Sequence, residues 1–200
     1  MSRARTPRGD AGISLLEVIV ALLVLSILVL ASIGFVTQAN TFSAYQQHNQ
    51  VAVTVAGAAM ERALATPPDQ LASDRAQADV QAAFAQLAGR PNVGDTYPIW
   101  DNTVTGAPLV PITETQTFSG TEYEATTLIG TCHRPRNVVS GVTCGKVSGA
   151  TALATPTGHL TLYRVTVVVT WTADDECPGG CAYETTSLID ATVGDVEWVD

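Results

Sequence analysis

The sequence predicts an α+β fold: a long N-terminal transmembrane and stem α-helix packed on a C-terminal antiparallel β-sheet head. Three observations predict it. Residues 13–36 read ISLLEVIVALLVLSILVLASIGFV, 24 residues with a single charge, Glu17. An apolar stripe at helical spacing continues through residues 37–66. Residues 160–171 then alternate apolar and polar side chains with a period of two, the pattern of a half-buried strand.

Length and charge bound the answer. The chain has 200 residues, enough for one medium domain plus a membrane segment. It carries 19 acidic and 10 basic residues, and Arg3, Arg5 and Arg8 crowd its start. Without residues 1–12 there remain 18 acidic and 7 basic residues, a formal charge of −11. Such a surface repels phosphate backbones, which argues against broad DNA binding. Arg134, Arg136 and Lys146 are the candidates for a local basic patch that could still bind DNA or another partner.

The apolar run is long enough to span a bilayer. As a helix, residues 13–36 measure about 36 Å, against a hydrocarbon core of about 30 Å. A secretory signal peptide has a shorter apolar region and ends at a small-residue cleavage site. A signal anchor is the stronger rival, and it shares the same topology: arginines in the cytoplasm, bulk outside. Glu17 separates these readings. A carboxylate in a membrane segment is costly unless paired. Cutting after Gly12 would create an amine at Ile13, one helical turn from Glu17. That amine, or the amine of a neighbouring subunit, could pair with the carboxylate.

Gly12-Ile13-Ser14-Leu15-Leu16-Glu17, with a short basic leader before it and a long apolar run after it, resembles the class III prepilin leader of the type IV pilin and pseudopilin family. The resemblance is carried by residues 9–40. It implies a cleaved leader at 1–12 and processing between Gly12 and Ile13 by the prepilin peptidase, with N-methylation of Ile13. It implies that Glu17 guides assembly by meeting the first residue of an adjacent subunit. Its implied partners are other pilin or pseudopilin subunits, an inner-membrane assembly platform and the lipid bilayer. Its implied location is the plasma or inner membrane with a cytoplasmic N-terminus, then an extracytoplasmic filament or the cell surface.

Residues 37–66 continue the helix as an exported stem. Phe42, Tyr45, Val53, Ala56, Met60 and Leu64 form its expected apolar stripe, facing the sheet. Val51, Val53 and Val55 alternate as a short strand would, but their Ala-rich flanks favour helix. Pro67 and Pro68 stop it. A second helix is expected over 69–88, with Asp69 and Asp74 near its start. Residues 89–200 form the β-rich head, with strands expected at 116–131, 160–171 and 182–189. One sheet face should lie on the stem helix and the other meet solvent. Val168 breaks the alternation of its strand, and Val193, Val196 and Trp198 suggest a further edge strand. A valine-rich strand ending in Trp171, a turn and a Tyr–Thr strand resemble the C-terminal sheet of pilus modification proteins and of I-type pseudopilins.

Cys132, Cys144, Cys177 and Cys181 all fall in the exported head, where disulfides are permitted. Four cysteines allow three pairings. Nearest-neighbour pairing would staple two separate loops. A four-thiolate zinc site and a redox-active pair compete with it, but the gap from Cys132 to Cys144 is loose for zinc and no thioredoxin-like unit is visible. His48, His133 and His159 are scattered, His133 in an expected loop beside Arg134. Asp174, Asp175 and Glu176 form an acidic hairpin tip, more a solvated turn than a calcium site. No phosphate loop, nucleophile elbow or metalloprotease helix occurs, so no catalytic residue, cofactor or metal is assigned. The expected function is therefore a non-catalytic filament subunit, minor rather than major because its head is large, strand-rich and acidic. The alternatives are a tip-binding subunit for adhesion or DNA uptake, and a secretion pseudopilin.

Overall fold

The computed structural model describes residues 15–136, 144–173, 177 and 179–190. Helix α1 (Leu15–Ala65) runs for 51 residues. It ends where Pro67 and Pro68 forbid further helical hydrogen bonds, and Pro68–Gln70 make a single 3-10 turn. Helix α2 (Gln77–Gln86) and strands β1 (Tyr97–Pro98), β2 (Thr113–Phe118), β3 (Thr121–Pro135), β4 (His159–Trp171) and β5 (Cys181–Asp190) follow. The chain divides into two compact units, Met1–Gln46 and Gln47–Asp200.

In the first unit, residues 15–43 are all exposed, although residues 15–36 are apolar apart from Glu17, Ser26 and Ser32. The few hydroxyls turn inward on their own helix. Ser26 Oγ donates to Leu22 O at 2.7 Å, Ser32 Oγ to Leu28 O at 2.7 Å and Thr37 Oγ1 to Gly34 O at 2.9 Å. With backbone and hydroxyl groups satisfied internally, the surface offered outward is hydrocarbon, as a bilayer requires.

The second unit is the head. Here α1 buries Ala52, Val55, Ala56, Ala59, Met60 and Ala63, a stripe with steps of three, one and three. The expected stripe is corrected: only Ala56 and Met60 of its members are buried, while Phe42, Tyr45, Val53 and Leu64 are exposed. Small side chains let the helix backbone approach the sheet closely. That is why alanine, and not the largest apolar residue, marks the buried face.

The sheet is antiparallel, in the order β1-β3-β4-β5, with β2 also paired to β3. On the α1 face, Tyr123, Ala125, Ile129, Val165, Val167, Val169 and Trp171 join the alanine stripe in one core. The opposite face does not meet solvent as expected. Leu128 and Val168 pack there with Val80, Ala83, Phe84 and Leu87 of α2 and its C-terminal end, and with Val93. The apolar Val168 that broke the alternation is thus a contact to this second layer.

Two further boundaries differ from expectation. The strand expected at 116–131 is two strands, joined at Ser119 (φ 51°) and Gly120 (φ 86°). Two consecutive positive φ values suit the tight two-residue hairpin turn. The helix expected over 69–88 shortens to Gln77–Gln86, because Asp74 takes a left-handed φ of 58° and ends any helical run through it. Gly130 is needed where β1 pairs with β3, since a Cβ there would collide with the Tyr97 carbonyl and the Thr96 methyl. Beyond Asp190, the last residue of β5, the edge strand expected over 190–200 lies outside the described residues, as does the acidic tip at Asp174–Glu176.

Candidate functional site

Glu17 lies in the first turn of α1 and is exposed, with Leu16, Val18 and Ile19 exposed around it. Acid at a helix start suits the partial positive charge of the unpaired amides there. The expected cut, between Gly12 and Ile13, lies outside the described residues. Four residues lie between Gly12 and Glu17, so a new N-terminus at Ile13 would be four positions, about one helical turn, from the carboxylate. One helix among the described residues is long and apolar enough to cross a membrane, and its apolar window is wholly unburied.

Residues 7–33 match the prokaryotic N-terminal methylation motif. The matched segment holds Gly12, Ile13, Glu17 and most of the apolar run. A prepilin-type motif thus runs into a long apolar helix whose end packs on an antiparallel sheet. This arrangement is consistent with the type IV pilin and pseudopilin superfamily in general. Comparison with curated proteins and with solved structures finds no match.

In the head, disulfides join Cys132 to Cys144 and Cys177 to Cys181. The first ties β3 to the segment that follows it, where His133 and Gly145 also exchange backbone hydrogen bonds of 2.8 and 3.1 Å. The second closes the connection between β4 and β5. Among the described residues no group of three His, Cys, Asp or Glu is placed to hold a metal ion.

The three basic candidates lie at one end of the β3–β4 pair but engage separately. Arg134 is exposed on β3. Arg136 donates through Nε to His159 O at 2.9 Å. The Lys146 ammonium stands 5.5 Å from the centre of the Tyr97 ring. His133 is corrected from a loop to a buried strand position, 2 % exposed. Its Nδ1 meets Thr161 Oγ1 at 3.0 Å and its Nε2 meets Thr151 O at 3.2 Å. His48 Nδ1 meets the Tyr123 hydroxyl at 2.7 Å, fastening the stem to β3. Both histidines are structural ties.

Two buried arginines escaped the sequence reading. Arg75 is fully buried and donates to Val110 O at 2.9 Å and to Thr127 O at 2.6 Å. Burial pushes it down to about 10, so it stays protonated at neutral pH. Arg164 donates to Asn92 O and Thr96 Oγ1, each at 2.9 Å, and to Cys144 O. Its guanidinium is lowered by burial and pulled back up by Asp95. A lone arginine amid polar residues carries no sequence mark of burial. Arg164, by contrast, sits in an alternating strand on the face that only the second helical layer hides.

Asp74 and Asp101 clamp the loop that encloses Arg75. Asp74 Oδ1 accepts from Thr105 N at 2.7 Å and Gly106 N at 2.8 Å. Asp101 accepts from Asp74 N at 3.0 Å and Thr103 N at 2.8 Å. These backbone donors hold both carboxyls below their ordinary value of 3.8.

An open cleft of about 470 Å³ lies at the other end of the strands, lined by Arg90, Glu122, Glu124, Thr170, Thr172 and Gly180. Nearby Glu184 is pushed up by burial and pulled down by Arg90. A second groove, of about 600 Å³, runs between α2 and residues 107–113. Neither places a nucleophile, base and orienting group together in hydrogen-bond reach.

Proposed function

We propose that this chain is a non-catalytic, minor pilin-like subunit of a type IV filament, inserted through its hydrophobic N-terminal helix and supporting assembly, priming or surface function. The match to the N-terminal methylation motif, which runs into the exposed apolar part of α1, carries this reading. Prepilin peptidase removes residues 1–12 and exposes the Ile13 amine. Glu17 then meets an N-terminal amine of a neighbouring subunit, which offsets the cost of a carboxylate in lipid. The helix is stored in the bilayer and moves into the filament core, where it packs against other subunits. The head stays outside the cytoplasm.

Mass spectrometry of the protein extracted from membranes tests the reading. A mature N-terminus at Ile13, with or without a methyl group, is expected. An N-terminus at Met1 in cells with active prepilin peptidase would sink it. Glu17→Val should leave cleavage intact and remove the chain from sheared filaments. Normal incorporation of that variant would overturn the assembly role of Glu17.

A pseudopilin of a type II secretion system meets the same requirements, and the Val–Trp, Tyr–Thr strand pair β4–β5 resembles I-type pseudopilins as well as pilus modification proteins. Loss of secretion with surface pili intact on deleting the chain would select it. A tip-binding role rests on Arg134, Arg136 and Lys146 at one end of the head. Loss of adhesion or DNA uptake in their glutamine variants, with filaments intact, would select that role.

A further inference from the structure

The ten basic residues of the chain are unevenly spent. Arg3, Arg5 and Arg8 precede the motif cut. Arg62 is paired with Glu114 at 2.7 Å. Arg75 and Arg164 are buried. Arg90 lines the cleft beside Glu122 and Glu124. The remaining three cations, Arg134, Arg136 and Lys146, are exposed and share one end of the β3–β4 pair.

Glu122 and Glu124 stand at the other end of the same strand. Register places Glu124 opposite Thr170, and Arg134 opposite Leu160. Twelve residues separate Glu122 from Arg134, about 40 Å at 3.3 Å per residue. The two groups cannot meet within one molecule. Asp95 and Asp190 also lie towards the basic end, but Asp95 acts on buried Arg164 and Asp190 is itself partnered.

We propose that the basic end, Arg134, Arg136 and Lys146, docks on the Glu122–Glu124 end of a second copy of this chain, head to tail. Charge complementarity selects this occupant over nucleic acid. Either occupant meets the chain's formal charge of −11 without residues 1–12, but a second copy brings its own Glu122–Glu124 patch and is held beside the first by the same membrane. The contact joins two different patches, so it is heterologous and leaves a free acidic and a free basic end on each pair. Net charge weakens association in bulk solution, but anchoring copies in one membrane raises their effective concentration. The contact then selects register, and the membrane holds the copies together. The proposal needs only membrane anchoring, not filament formation.

Lys146 makes the test direct, because it is the sole lysine in the chain. The full chain is reconstituted at high density in phosphatidylcholine vesicles as a mixture of light and heavy-nitrogen protein. A carbodiimide then joins amines to carboxylates only in direct contact. Mixed-isotope peptides joining Lys146 to Glu122 or Glu124 are expected, reduced at least about fivefold in 0.5 M salt. Arg134→Gln with Arg136→Gln should reduce them too, although both reacting groups remain. Circular dichroism and retained disulfides confirm that this variant folds. Absence of these peptides, scatter of Lys146 over all carboxylates, or insensitivity to the double substitution would overturn the proposal. Displacement of the crosslinks by an equimolar short DNA duplex would also overturn it, and would assign the basic end to nucleic acid.

Discussion

One helix serves two environments in this molecule, and its sequence obeys different rules in each. From Leu15 to Val36, within the first unit, α1 presents large apolar side chains on every side, and its serine hydroxyls fold back on their own carbonyls. Beyond Gln47, within the head, large apolar residues such as Val53 and Leu64 face outward while alanines occupy the buried stripe. Bilayer burial acts on the whole circumference, so composition reveals it. Packing on a sheet selects for close approach, so the buried face is marked by small residues and not by hydrophobic size.

Placing a charge in each half breaks the comparison most sharply. Leu23→Arg is expected to cost about 3 kcal/mol of membrane insertion, roughly a hundredfold in the insertion equilibrium. Leu64→Arg, on the outward face of the head's helix, should change head stability by no more than about 0.5 kcal/mol. Alkaline extraction of membranes reads the first, and a urea midpoint in detergent reads the second. Equal behaviour of the two variants would refute the division.

The division also explains what was legible. Glu17, the apolar run and the motif ahead of it are local patterns and can be read in order along the chain. Strand β4 was legible through its alternation, but Val168, read only as an exception on a face expected to meet solvent, packs against the second layer. The Ser119-Gly120 dipeptide was a turn signal inside an expected strand. Arg75 and His133 were not legible, because their burial depends on segments far away in sequence: Val110 and Thr127 for one, Thr151 and Thr161 for the other. Pairing of the four cysteines likewise needed coordinates, since spacing alone left three possibilities open.

The head relies on covalent ties that the membrane half does not contain. Cys132→Ser with Cys144→Ser opens a link of sequence separation 12, and loop entropy gives a loss of about 3 kcal/mol. The Cys177 and Cys181 pair, at a separation of 4, should be worth about 2 kcal/mol. Urea midpoints of the two double variants check the order. A larger loss at the shorter link would show that chain entropy is not what these ties supply.

A single methyl-to-isobutyl change distinguishes the two halves without altering charge. Ala59→Leu forces three extra carbons between α1 and the sheet, at a cost of about 1–3 kcal/mol. Ala31→Leu, exposed in the first unit, meets no packed neighbour and should leave insertion and head stability unchanged within about 0.5 kcal/mol. Thermal unfolding followed by circular dichroism compares them. A silent Ala59→Leu would mean that the alanine stripe is not tightly packed.

The smallest effect separates the halves by pH. Asp74 and Asp101 are held below 3.8 by backbone donors, so the unfolded chain binds more protons than the folded head just below that value. Their contribution is complete above about pH 3.8 and is lost as pH falls through the lower folded values. Glu184 has the opposite sign: burial raises its carboxyl above 4.5, so its ionisation weakens the head as pH rises through that region. The head's urea midpoint should therefore fall below about pH 3.8, and Asp74→Asn should flatten that fall by removing one of the two contributors. Membrane retention should not change over the same range if it depends on apolar surface alone. A pH-dependent release from the bilayer that Asp74→Asn abolished would instead tie the clamp to the membrane half, and would merge two regions that the sequence pattern keeps apart.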